Sequence, residues 1–138
     1  MSAARGRMPA KLLAAAAIAW AFPATCVGLA IGAAGLLSGG RAHRRGRVLE
    51  FWGGAAAVFL RRLFRGAAAM TLGHVVLGRT LHDLERSRAH ELVHVRQYER
   101  WGPFFLPAYL LCSLVLWCRG KDGYLDNPFE REAYDKAP

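Results

Sequence analysis

Residues 80–101, TLHDLERSRAHELVHVRQYERW, decide how the chain is read. No Pro or Gly interrupts them, strong helix formers fill them, and Thr80-Leu-His-Asp83 has capping-box spacing with Asp in place of Glu or Gln. Gly102-Pro103 closes the stretch, Gly taking the terminal turn and Pro blocking continuation. Inside the predicted helix stands His90-Glu91-Leu92-Val93-His94. Residues four apart share a helical face, so both imidazoles can point at one ion, with Glu91 at the edge of that face. Neutral imidazole suits Zn2+ at about 2.0 to 2.1 Å, and a catalytic site keeps a position for water, whose pKa the ion lowers toward about 7. Glu91 then stands as general base, taking that proton and passing it to the leaving amine. With five His and ten acidic residues in the chain, the pattern arises by chance with a probability on the order of 0.01 or less. The bland alternative is a solvated helix carrying two His among Arg86, Arg88, Arg96 and Arg100.

Working outward, residues 47–52 (RVLEFW), closed by Gly53-Gly54, predict a short strand, and 55–65 (AAAVFLRRLFR) a short amphipathic helix. Residues 69–77 (AMTLGHVVL), ended by Gly78, predict a second strand in which Met70, Leu72, His74 and Val76 share one face. On the other side, residues 103–118 (PFFLPAYLLCSLVLWC) reach only about 24 Å as a helix, short of a ~30 Å hydrocarbon core, which fits a buried or half-inserted helix. After the polar turn RGKDGYLD, Asn127-Pro128 opens a last short helix, with Asn as cap and Pro in the first helical position.

Residues 12–37 carry no charge and reach roughly 39 Å as a helix, enough to span a bilayer. Arg5, Arg7 and Lys11 before them also suit a cleaved signal peptide, but the run exceeds the usual ~7 to 15 residues and lacks a clear A-x-A site. A chain of 138 residues, 54% hydrophobic and 21% charged, holds one modest domain beside such an anchor. The expected division is residues 1–40 as membrane anchor and 41–138 as metal-binding domain. The net charge of +9 is uneven, because residues 41–101 carry twelve Arg against five acids. Residues 38–47 (SGGRAHRRGR) read as a basic linker, whose Arg41, Arg44, Arg45 and Arg47 would meet anionic lipid headgroups. No recognition fold or aromatic platform accompanies the charge, so nucleic acid is not the expected partner. Four Arg after the anchor against two Arg and one Lys before it leave the side of the membrane open. Cys26, Cys112 and Cys118 all lie in apolar stretches and read as small buried hydrophobes.

The stretch AHELVHVRQYERWG, an apolar helix and then NPFEREAY resemble, over roughly residues 70–135, the gluzincin group of zinc peptidases. The likeness extends to prenyl-protease-like and minigluzincin-like members and to uncharacterised bacterial membrane proteins with the same block arrangement. It implies a Glu on the later helix as third ligand, Glu130 or Glu132, with Glu130 at the position the family uses. These two lie about 200° apart on a helix, so only one can face His90 and His94. Asn127 and Glu130 also have capping-box spacing, which offers Glu130 a local alternative. The family's ExxxD pattern is not kept, since Tyr134 stands four residues after Glu130.

The sequence therefore leads to an α+β, minimal zincin-like domain with an N-terminal transmembrane helix and a second apolar helix, sited in a bacterial cytoplasmic membrane. The metal is Zn2+ on His90, His94 and Glu130, and the substrate is a peptide or protein hydrolysed by zinc-activated water with Glu91 as general base. The rivals are a membrane-bound zinc protein without catalysis and a basic membrane-surface adaptor without metal. Among further candidates, His74 can line the cleft or pack, and Gln97, one turn after His94, can orient a ligand or face solvent. Any of Tyr98, Tyr109, Tyr124 and Tyr134 can supply a hydroxyl, while His43 and His82 read as surface.

Overall fold

The computed structural model describes residues 8–63 and 67–138. In chain order these form α1 (Ala10–Leu37), β1 (Arg41–Arg45), β2 (Val48–Trp52), α2 (Gly54–Leu63), β3 (Ala69–Leu72), β4 (Val75–Gly78) and α3 (Leu81–Trp101). A single 3-10 turn, Gly102–Phe104, leads into α4 (Phe105–Cys118), and α5 (Pro128–Lys136) follows. The fold is α+β. Its four-stranded sheet has the order β1-β2-β4-β3, with β2 and β4 parallel and both outer pairs antiparallel.

Strand alternation divides the sheet between two sets of helices. Phe51, Leu72, Val75 and Leu77 share a core with Ala56 and Leu60 of α2, and Leu29 and Ile31 of α1 pack against it. Val48 and Val76 point the other way, into a core with Leu84 and Val95 of α3. A third core joins Ala21 of α1 and Tyr98 of α3 to Phe105 of α4 and Phe129 of α5. The sheet is thus covered on both faces. α1 reaches it through small residues: a Cβ on Gly28 would lie 2.7 Å from Val75 Cβ, and one on Gly32 2.7 Å from the Phe51 ring. Its outer face leaves Phe22, Val27 and Leu36 exposed, and α4 leaves Leu110, Leu111, Leu114 and Trp117 exposed. Two helical runs, Ala10–Leu37 and Leu81–Cys118, are long and apolar enough to cross a membrane. In the second, the uncharged part is its end, from Trp101 onward.

Helix ends follow the sequence signals. The Asp83 N–H donates to Thr80 Oγ1 at 3.1 Å, the Phe129 N–H donates to Asn127 Oδ1 at 3.0 Å, and Pro128 takes the first turn of α5. Three expectations are corrected. Residues 38–47 are not all linker, because residues 41–45 pair with β2 as a hairpin around Gly46, whose φ is +58°. Residues 69–77 are not one strand: the chain reverses at Gly73-His74, Leu72 pairs with Val75, and Val76 falls on the face opposite Leu72. The reversal needs glycine, since φ at Gly73 is +63° and a Cβ would lie 2.2 Å from Thr25 Oγ1. Cys26 and Cys118 are exposed rather than buried, and Cys112 is half-buried. The expected helix over residues 55–65 is present as α2, with residues 64 and 65 outside the described residues.

Candidate metal centre

The sheet fixes the rotation of α3. His43, Glu50, Val76 and Thr71 form one cross-strand row, and its polar members reach α3 at two points. Glu50, buried in β2, accepts the Arg88 fork, Nε to Oε1 at 2.9 Å and Nη2 to Oε2 at 2.9 Å, and also pairs with His43. Burial opposes charge on Glu50, yet the Arg88 and His43 hydrogen bonds bring its pKa below the ordinary 4.5. Thr71 Oγ1 donates to Glu91 Oε2 at 2.6 Å. With Arg88 and Glu91 turned to the sheet, His90 and His94, about a quarter to a third of a turn further round, face α4 and α5.

There they meet Glu130. His90 Nε2 lies 3.0 Å and His94 Nε2 3.3 Å from Glu130 Oε2, and the two Nε2 atoms are 3.2 Å apart. Ligands at about 2.05 Å around a tetrahedral ion are about 3.3 Å from one another, so this triangle has the size a zinc-like ion needs. The donor set, two imidazoles and a carboxylate, also fits. His90, His94 and Glu130 can hold a metal ion. The other Glu130 oxygen accepts from the Tyr109 hydroxyl at 2.8 Å, which leaves Oε2 for the ion. Burial pushes the Glu130 pKa up, but hydrogen bonds from His90, His94 and Tyr109 outweigh it and draw the value to about 2. Burial likewise opposes charge on His94, and Glu130 and Glu91 overcome it and raise its pKa. At Glu91 burial prevails over His94 and the Thr71 hydroxyl, so its carboxyl is pushed up.

Above these groups opens a cleft of about 550 Å³. Its walls are Ala67–Met70 with Thr71 on the side of β3, and Phe105, Leu106, Tyr109 and Leu110 on the side of α4. Among the described residues, Glu91 and Glu130 are its only acidic lining residues, and no Lys or Arg lines it. β3 is an edge strand, and among the described residues no strand pairs with its outer backbone groups.

The remaining candidates separate clearly. Glu130 does not cap α5, because Asn127 does so alone and the Glu130 carboxylate points at the imidazoles. Glu132 turns to Gln97, Arg100 and Lys136 instead. His74 does not line the cleft: it is buried in the β3–β4 turn, with Nε2 2.8 Å from Glu99. His43 is only half-exposed, on the Glu50 row. Tyr98, Tyr109 and Tyr124 line the cleft, and Tyr109 alone among them touches a metal-site carboxylate. Sequence reasoning missed Thr71 and the Glu50–Arg88 pair. A lone acid in the alternating strand VLEFW was the available signal, since a buried carboxylate requires a cationic partner. No family model matches the chain, and no curated protein or solved structure matches it either.

Proposed function

We propose that the chain is a membrane-anchored, gluzincin-type zinc metallopeptidase with a minimal zincin-like domain. The observation that supports this most strongly is the Nε2–Nε2–Oε2 triangle of His90, His94 and Glu130, with Glu91 beside it in the same cleft. Bound there, zinc would supply an acidified water and polarise a carbonyl oxygen. The chain's own residues do the rest. Glu91, its pKa raised by burial, is suited to receive a proton from the attacking water and release it to the leaving nitrogen. Thr71 holds that carboxylate in place from β3. The outer edge of β3, unpaired among the described residues, offers backbone donors and acceptors to an extended peptide, and the apolar walls suit uncharged side chains beside the cleaved bond. α1 anchors the protein, and exposed Arg41, Arg44, Arg45 and Arg47 meet anionic headgroups, in a bacterial cytoplasmic membrane.

A second reading, a zinc protein without catalysis, is favoured by one observation: Glu91 is buried, with its Oε2 accepting from the Thr71 hydroxyl. Zinc content and peptide hydrolysis of the wild type and Glu91→Gln separate the two. The peptidase retains zinc in Glu91→Gln and loses about 10²- to 10⁴-fold in turnover. A zinc-loaded wild type with no more hydrolysis than Glu91→Gln identifies the non-catalytic protein, and absence of zinc from the wild type defeats both readings.

A further inference from the structure

Gln97 is completely buried, and all of its polar capacity is directed at the two helices that carry the proposed metal ligands. Its amide nitrogen donates to the Phe129 carbonyl oxygen at 2.9 Å and to Glu132 Oε2 at 3.0 Å. Its Oε1 lies 2.8 Å from His94 Nδ1. A primary amide has two N–H donors and one oxygen that only accepts. Both partners on the nitrogen side are acceptors, a backbone carbonyl and a carboxylate held between Arg100 and Lys136. The amide therefore cannot be turned over, because its oxygen would then face two oxygens. With its orientation fixed, Oε1 must accept a proton carried on His94 Nδ1. The lone pair of neutral His94 is left on Nε2, which points at His90 and Glu130.

We infer that Gln97 is a positioning residue of the metal centre: it sets the tautomer of His94 and ties the backbone beside Glu130 to the same side chain. The inference rests on the metal-centre reading above. Phe129, whose carbonyl it holds, immediately precedes Glu130, so one buried amide couples the placement of a ligand on α3 to that of a ligand on α5. Glu132 acts behind it, anchoring the amide nitrogen without approaching the ion. Partners of this kind commonly change metal affinity about 10- to 100-fold.

The test uses the full chain in detergent with zinc as probe, comparing wild type, Gln97→Met and the double substitution Gln97→Glu with Glu132→Gln. Chelator competition gives zinc affinity, and ¹⁵N NMR of the zinc-loaded protein reports which His94 nitrogen carries the metal and how fast its other N–H exchanges. In the wild type, zinc should sit on Nε2 and the Nδ1 proton should exchange slowly. Gln97→Met should weaken zinc binding about 10- to 100-fold and speed that exchange. The double substitution keeps an acceptor for Nδ1–H and a donor between positions 97 and 132, but loses the donor to the Phe129 carbonyl, so it should restore slow Nδ1–H exchange while recovering only part of the lost affinity. A packing role alone would lower thermal stability in Gln97→Met and leave both affinity and exchange unchanged, which overturns the inference. Zinc on Nδ1 in the wild type overturns it without any variant. A wild type that binds no zinc removes the metal centre itself, a result distinct from either.

Discussion

Glu130→Gln removes a charge from the metal site while changing almost nothing in shape. Gln at this position keeps an oxygen for Tyr109, now 2.8 Å from Glu130 Oε1, and keeps the first turn of α5, which Asn127 caps independently. What it loses is the anionic Oε2 at 3.0 and 3.3 Å from the two imidazoles. Since loss of a partner behind a ligand costs about 10- to 100-fold, loss of a ligand itself should cost at least about 100-fold, or roughly 2.7 kcal/mol. Stabilisation by a ligand follows RT ln(1 + [L]/Kd). Zinc at about 1,000 times the wild-type Kd therefore stabilises wild type by about 4.1 kcal/mol and a 100-fold weaker variant by about 1.4 kcal/mol. For a chain of this size that is a difference of roughly 10 °C in the melting shift caused by zinc. The readout is the change in melting temperature between zinc-loaded and metal-free samples, so the variant's own metal-free stability cancels. Glu132→Gln, whose carboxylate bonds Gln97, Arg100 and Lys136 rather than the imidazoles, should lose at most about tenfold in affinity. An undiminished zinc shift in Glu130→Gln would refute the assignment, and a collapse confined to Glu132→Gln would move the third ligand there.

Because the Glu50 pKa is lowered on folding, its contribution to stability is complete above the ordinary value near 4.5 and is lost as pH falls through the lower folded value. Resistance to denaturant should fall over that acid range, less steeply in Glu50→Gln; an identical acid profile in both would dismiss the pair. At neutral pH, Arg88→Leu leaves the buried Glu50 without its fork and should cost about 3 kcal/mol, with an unchanged midpoint as the contrary result. Gly32→Leu forces a side chain into the Phe51 ring and should destabilise the sheet core by about 1 to 3 kcal/mol in detergent. A wild-type melting curve there would mean that α1 does not pack on the sheet. The protein should stay with membranes after a high-salt wash, since an apolar helix does not depend on screened charge as the Arg cluster does, and release by salt would mark it as peripheral.

The parts of the fold that could be read from the sequence are those whose causes are local. Thr80 and Asn127 bind backbone N–H groups two or three residues away, and Gly102-Pro103 ends α3 for reasons contained in that dipeptide. The i, i+4 spacing of His90 and His94 likewise needs only helical geometry. The hairpin at Gly73 escaped because a two-residue reversal preserves an alternating pattern in the letters while inverting the faces that follow it. The pairing of β1 with β2 escaped because four arginines in ten residues look like a solvated linker, although an edge strand tolerates, and is protected by, such charge.

The site depends on contacts that no local spacing encodes. Glu50 reaches Arg88 across 38 residues, Thr71 reaches Glu91 across 20, and Gln97 reaches Phe129 across 32. These long contacts have a common geometry. Two bring the sheet to α3 and one brings α5 to it, so α3 is held on both sides while the face between them is left open to the cleft. Two hydrogen-bonded attachments on the sheet side leave little freedom to roll, and a roll of even one residue position, about 100°, would take both imidazoles away from Glu130. α1 supports the same arrangement from behind, because its glycines let the helix backbone lie directly on Val75 and Phe51, which carry the reverse face of that sheet. A helix apolar on all sides can therefore serve two apolar environments at once: its small residues meet the sheet, while its exposed Phe22, Val27 and Leu36 suit a second apolar environment.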